Sequence, residues 1–537
     1  MGRTSSLTPN FFRSFSEDGY SFTASRGKHT LKTGVDWRRL TPVVNPGPYV
    51  YYEYDSEASI NTNNVDYGTG ISSATFYPVY LNFSAFVQDE WHIRSRLNLS
   101  LGIRWDVNPA PGATSGLTPY TVTGLSDLST IELAPEGTPL WKTSWYNLAP
   151  RLGLAYVVNP EASRETVLRG GVGVFFDTGQ QLGSYGFEGP GFSAFSYFGT
   201  DNGVAASFPV AASVVNPPIV NPPVPPYGVI FANPPHLQLP YTFQWNASLE
   251  QALGKTQSLS MSYVGANARR LLEEADYSAS NVNPQLGSSL YLFTNGLTSS
   301  YNALQIKFQR QISHGLQTLA SYTWSHSLDF GSFDTSLPYQ RGNSSQDLRN
   351  NLAGAVSYDL PSAEKSLASR VFLDKWGVDG RLTARSGFPV TLNGRTVTDP
   401  ATGSVYWGGL NREPGVPLYV AGSQYPGRRT INPAAFALPA IGQSGDAPRN
   451  FARGFGATQV DIALRRQFPI FEKLQGQFRA EVFNISNHPN FGLINPFYGN
   501  IQFGQATASL AQSLGTLSPL YQMGSSRSCQ LALRLTF

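Results

Sequence analysis

Cysteine is nearly absent, with Cys529 the single copy in 537 residues. That excludes an intramolecular disulfide and a cysteine-based zinc cluster. Charge is also scarce: Asp, Glu, Lys and Arg make up 14% of the chain, with a net charge of +3. No basic stripe of the kind a nucleic-acid binder needs is present. Nor is there an apolar run of about 18 residues, so no transmembrane helix is available. The opening stretch MGRTSSLTPNFFRSFSEDGY lacks the apolar segment of a signal peptide. Gly2 and Ser6 fit a myristoylation pattern. Coincidence explains that match better, because the rest of the chain does not read as the soluble domain such an anchor would serve.

Catalytic motifs are missing too. No two of His29, His92, His236, His314, His326 and His488 stand at the i,i+4 spacing of a helical zinc site. Gly254-Lys255-Thr256 echoes a phosphate loop, but Leu249 occupies the earlier glycine position, so it reads as a hairpin turn. GPGFSA at 189–194 contains Pro190 and leads into no helical pattern, which rejects a dinucleotide fingerprint. No G-x-S-x-G elbow occurs. No catalytic, cofactor-binding or metal-ligating residue is therefore assigned.

Aromatic side chains are plentiful, at 13% of the chain, with 52 Gly and 38 Pro. They fall into segments of strict period 2. In VYLNFSAFVQ, Val79, Leu81, Phe83, Ala85 and Val87 share one face; Tyr80, Asn82, Ser84, Phe86 and Gln88 share the other. In LNLSLGIRWD, Leu97, Leu99, Leu101, Ile103 and Trp105 oppose Asn98, Ser100, Gly102, Arg104 and Asp106. DEWHIRSR reads as the short link between them. Similar segments recur to the final SCQLALRLTF, where Cys529, Leu531, Leu533, Leu535 and Phe537 share a face. Such alternation marks half-buried strands, roughly 15 of them.

The connections are lopsided. One end of each hairpin is tight, while the other carries long segments at 107–146, 177–240, 267–299 and 388–456. The Pro-rich stretch at 216–235 reads as loop, since proline cannot join a central ladder. Strands near ten residues long suit a tilted bilayer crossing. Trp91, Trp105, Trp324, Trp376 and Phe537 near strand ends suit an interfacial girdle. The polar face carries Arg104, Asp106, Arg151, Glu250, Lys307, Asp379, Arg381, Asp461, Arg465, Arg479, Glu481 and Arg534. That density suits a wet lumen and not a dry core. Asp106, Asp461 and Glu481 have arginines nearby in sequence, which reads as charge balance and not as paired catalytic acids. The fold class is an all-β antiparallel transmembrane β-barrel with long extracellular loops and short periplasmic turns. The segment 49–68 is the candidate ligand loop. It combines Tyr51, Tyr52, Tyr54 and Tyr67 with Glu53 and Asp55, and aromatics beside carboxylates can hold sugars or cationic ligands.

The stretches FSAFVQDEWHIRSRLNLSLGIRWD, NLAPRLGLAYVVNP, PYTFQWNASLEQALG and GQFRAEVFNISNHPNFG, with the terminal LALRLTF, resemble the C-terminal part of a TonB-dependent outer-membrane receptor of the Oar-like type. The resemblance extends over most of the chain. It implies ligand uptake through a barrel that surrounds an N-terminal plug. Residues 1–537 would be one barrel domain of a longer receptor, with the plug and some strands elsewhere. It also implies the outer membrane as location and its lipid bilayer as partner. The TonB energy complex would be a partner where a plug is present. Leu533, Leu535 and Phe537 would then be the signal read by the outer-membrane assembly machinery. The extracellular ligand is not named, and nucleic acid is not a partner. The alternatives are a non-transporting surface or adhesion protein on the same barrel and, behind it, a barrel-embedded hydrolase.

Overall fold

Backbone polar groups find no partners in lipid, so strands that cross a bilayer must pair side by side in a continuous wall. The computed structural model describes residues 10–179, 183–278, 283, 285–331, 340–361, 374–471, 474–513, 524 and 526–536. Among these residues, fifteen long strands build the wall. The first six are β1 (Asn10–Arg26), β2 (His29–Asn45), β3 (Pro78–Arg94), β4 (Leu97–Val107), β5 (Asn147–Asn159) and β6 (Thr166–Phe176). Then come β7 (Tyr241–Leu253), β8 (Gln257–Ser278), β9 (Ser289–Ser313), β10 (Leu316–Asp329) and β11 (Asn350–Asp359). The last four are β12 (Trp376–Arg385), β13 (Ala457–Phe471), β14 (Leu474–Phe483) and β15 (Ser528–Thr536). Each pairs antiparallel with the next in sequence. Among the described residues, β1 has β2 and β15 has β14 as sole wall partner.

The wall is apolar on the outside. Along β5, Leu152, Leu154, Tyr156 and Val158 are 41–45% exposed, and Leu101 and Ile103 on β4 are both 42% exposed. The charged side chains of Arg104 and Asp106, on the opposite face of β4, are only 29% and 16% exposed. A soluble sandwich would reverse this order; a bilayer demands it. Cross-strand pairing also fixes where glycine is needed. Trp245 lies opposite Gly265, where an added Cβ would stand 2.2 Å from the indole.

The dry core lies in the loops. Leu392, Leu410, Ile431 and Phe436 in the 386–456 connection pack with Ile494 and Phe503 of the last long connection. Val122, Ile131, Ile230, Leu286 and Leu290 form a second cluster.

Several expectations are corrected. The 267–299 segment is mostly ladder: β8 runs on to Ser278 and β9 begins at Ser289. Register shifts between Ala268 and Glu273 break the period-2 pattern there and disguise the strand. DEWHIRSR is mainly strand as well, because β3 continues to Arg94 and β4 starts at Leu97. Within the Pro-rich stretch, Val229–Ala232 forms a short strand parallel to Ser289–Leu292. Its prolines lie on either side, so the ladder bonds survive. Gly2, Ser6 and Phe537 lie outside the described residues.

Candidate functional site

Two features occupy the long-connection side: the tyrosine and carboxylate loop, and a buried clasp between two other loops.

The loop is built on a three-stranded sheet separate from the wall. Tyr49–Glu53 pairs with Tyr67–Ser73, which pairs in turn with Ser193–Phe198. Alternation divides the tyrosines. Tyr51 and Glu53 are exposed on one face, where the Tyr51 hydroxyl donates to Glu53 Oε2 at 2.9 Å. That bond holds the Tyr51 hydroxyl above its ordinary pKa. The Tyr67 ring meets Tyr51 edge-on, with centroids 6.2 Å apart. Tyr52 and Tyr54 are half-buried and serve packing. Tyr52 leans on Phe208 at 5.5 Å, and the Tyr54 hydroxyl donates to Asn63 Oδ1 at 2.9 Å. Asn63 in turn brackets Phe208 through its amide and carbonyl.

Asp55 is exposed, and its backbone N–H donates to Asp66 Oδ2 at 2.7 Å. Local desolvation, with Glu53, Asp66 and Asp201 nearby, pushes the Asp55 carboxyl up. Hydrogen bonds from Ser59, the Asp55 backbone and Thr200 pull Asp66 down, outweighing its desolvation. The six predicted residues thus separate. Exposed Tyr51 and Glu53, with half-buried Tyr67 beside them, form an aromatic and acidic face, Asp55 adds charge at its edge, and Tyr52 and Tyr54 hold the loop in shape. Asp66 completes the anchoring.

The clasp escaped sequence reasoning. Asp347, with its side chain fully buried, accepts from Ser327 N at 2.7 Å and pairs with Arg349 (3.1 Å), His326 (3.2 Å) and Arg453. Nearby, buried Arg449 pairs with Asp329. Asn450 Nδ2 donates to Asn343 O at 2.7 Å, and Asn343 Nδ2 returns a bond to Asn450 O at 3.0 Å. Burial alone would raise the Asp347 carboxyl. The bonds from Ser327, Arg453 and His326, with the charge of Arg349, hold it below the ordinary carboxylate range. The only hint in the sequence was arginine recurring in a loop otherwise poor in charge.

Lumenal charges are mostly tied in pairs. Arg479 bridges Asp379 (2.8 Å) and Glu481 (2.7 Å), and Arg465 reaches Asp359 and Asp379. Asp461, expected beside an arginine, instead accepts from Gln459 Nε2 (2.8 Å) and Asn484 N (2.9 Å). Asp461 lies directly opposite Arg381 in the ladder, but the amide of Gln459 on its own strand takes its carboxylate. Leu533 and Leu535 share the outer face of β15, at 65% and 48% exposure. Among the described residues, no cluster of three or more His, Cys, Asp or Glu is placed to hold a metal.

Residues 8–529 match the family described as outer membrane beta barrel domain. No curated protein matches the chain. Among solved structures, the chain is similar to the outer membrane transporter YddB from Escherichia coli at 11% identity and a TM-score of 0.51, over 98% of this chain and 55% of that one. It also matches the FrpB iron transporter from Neisseria meningitidis at 10% identity and a TM-score of 0.48, over 98% of this chain and 56% of that one. The chain spans about half the length of the solved structures it matches.

Proposed function

The chain belongs to the outer membrane beta barrel domain family, a protein of the cell outer membrane, and from that premise we propose that it forms the barrel of a TonB-dependent, Oar-like receptor. Its role is non-enzymatic uptake of an extracellular ligand. The face formed by exposed Tyr51 and Glu53 with half-buried Tyr67 is the first contact for that ligand, which it meets with ring surfaces and a carboxylate. Leu533, Leu535 and Phe537 guide membrane assembly, and the inner-membrane energy complex is the remaining partner.

The observation that carries the reading is the inverted wall, apolar outside and charged inside, topped by loops with their own dry cores. An adhesin needs the loops but no charged interior. The test is uptake in cells that express the full-length gene product, with and without an energised inner membrane. Energy-dependent accumulation is the expected result. Surface binding without accumulation would replace transport with adhesion.

A further inference from the structure

The lumenal wall over β2 to β5 holds positive charge that the protein itself does not neutralise. Ladder register places Lys32, Gln88, Gly102, Arg151 and Gly173 in one row across five strands. Arg104 stands one row away, opposite Phe86 and Ala149. Lys32, Gln88, Ser100, Arg104 and Arg151 line one cavity of about 400 Å³, and no acidic side chain lines it.

Most of the neighbouring charges are already paired, and Glu90, two residues from Gln88 on β3, accepts from the Gln88 amide at 3.4 Å. Arg104 donates to Asp106 at 2.8 Å and to Ser84 at 2.5 Å, and Asp36 lies 3.7 Å from it. Arg38 takes Asp36 at 3.2 Å. Two arginines and two aspartates therefore balance. Lys32 and Arg151 are surplus: among the described residues, no ion pair or hydrogen bond joins either to a carboxylate. The Arg151 guanidinium lies over the Phe175 ring, 4.4 Å from its centroid, which leaves its N–H edges open. Gly102 and Gly173, its neighbours in the row, put no side chain in the way.

We propose that this cavity is a binding site for a small multivalent anion, such as a polyphosphate or polycarboxylate group, held between Lys32 and Arg151. The backbones of these residues stand three strand spacings apart, roughly 14 Å, and both residues line the same cavity. Between them the Gln88 amide donates to Ser100 Oγ at 3.3 Å and to Glu90 Oε1 at 3.4 Å, which leaves the Ser100 hydroxyl as the neutral donor. Arginine offers a flat fork to an oxyanion and lysine a point charge. Low-dielectric walls focus the field of such a patch on the lumen. Anion binding here needs only the wall geometry and does not depend on uptake.

The test is calorimetric titration of the folded, detergent-solubilised chain with inorganic pyrophosphate at low ionic strength. Wild type should bind at one site and lose affinity steeply with added salt. Lys32→Gln and Arg151→Gln should each weaken binding by about tenfold, the scale of one charge-assisted contact, and Arg151→Lys should retain part of the affinity. Lys307→Gln, on β9, should change nothing. Each variant is first checked for heat-modifiable mobility; Arg151→Lys provides the reading should Arg151→Gln fail to fold. Absence of binding to wild type, or an equal loss in Lys307→Gln, would overturn the site. Failure of uptake in cells would leave this binding unchanged, so the two readings fail separately.

Discussion

Asp347 is the residue on which the loop layer depends most. Its carboxylate, fully buried, receives one backbone N–H and contacts from Arg349, Arg453 and His326. Replacing it with asparagine removes the buried carboxylate from Arg349 and Arg453, which are themselves 35% and 25% exposed, and losing such charge-assisted bonds costs about 2 kcal/mol. Asp347→Asn should therefore open the 386–456 connection while sparing the wall, measured as faster hydrogen exchange confined to that segment. Acid should act in the same way. The folded carboxyl titrates below its unfolded value, so its contribution is complete above the ordinary carboxylate range and is lost as pH falls through the folded value. Segment exchange measured from pH 6 downward should rise only below about pH 4, and in Asp347→Asn this step should vanish.

Strands obey a different rule, because period 2 assigns each position to lipid or lumen. Leu154 faces lipid at 45% exposure, and Ala155 faces the lumen opposite Arg169. Arginine on the lipid face of a barrel costs about 2–4 kcal/mol near the bilayer midplane. Leu154→Arg should lower the folded fraction in lipid vesicles, read by urea titration, and Ala155→Arg should lower it less. The same period made most of the wall legible in the sequence: LNLSLGIRWD and SCQLALRLTF can hardly be read otherwise. It failed where the backbone departs from it. Arg270 adopts φ 56° within the first of two successive register shifts, and there a strand looked like loop. The candidate loop was legible as composition, but which tyrosines pack and which stay open depends on contacts with Phe208 that no local pattern announces. The clasp was illegible for a related reason. Asp347 and Arg453 lie 106 residues apart, and neither sits in a periodic segment.

At the scale of the whole molecule, two solvents are divided between two regions. The wall turns its apolar side outward, and the loops bury Leu410, Ile431 and Leu286 as a water-soluble protein would. The purified chain should remain folded only in detergent or lipid. Unheated, it should migrate faster than the boiled chain in denaturing gels; identical mobility would contradict the barrel. One further consequence lies in the count of strands. Among the described residues the wall has fifteen strands, an odd number, so in an alternating ladder β1 and β15 point the same way. A seam joining them directly would be parallel, unlike every other ladder between neighbouring wall strands. An antiparallel seam requires an odd number of intervening strands, the parity that gives bacterial barrels their even totals. A disulfide between cysteines introduced on these two edges would report the direct seam, and its register would give the sense of the pairing.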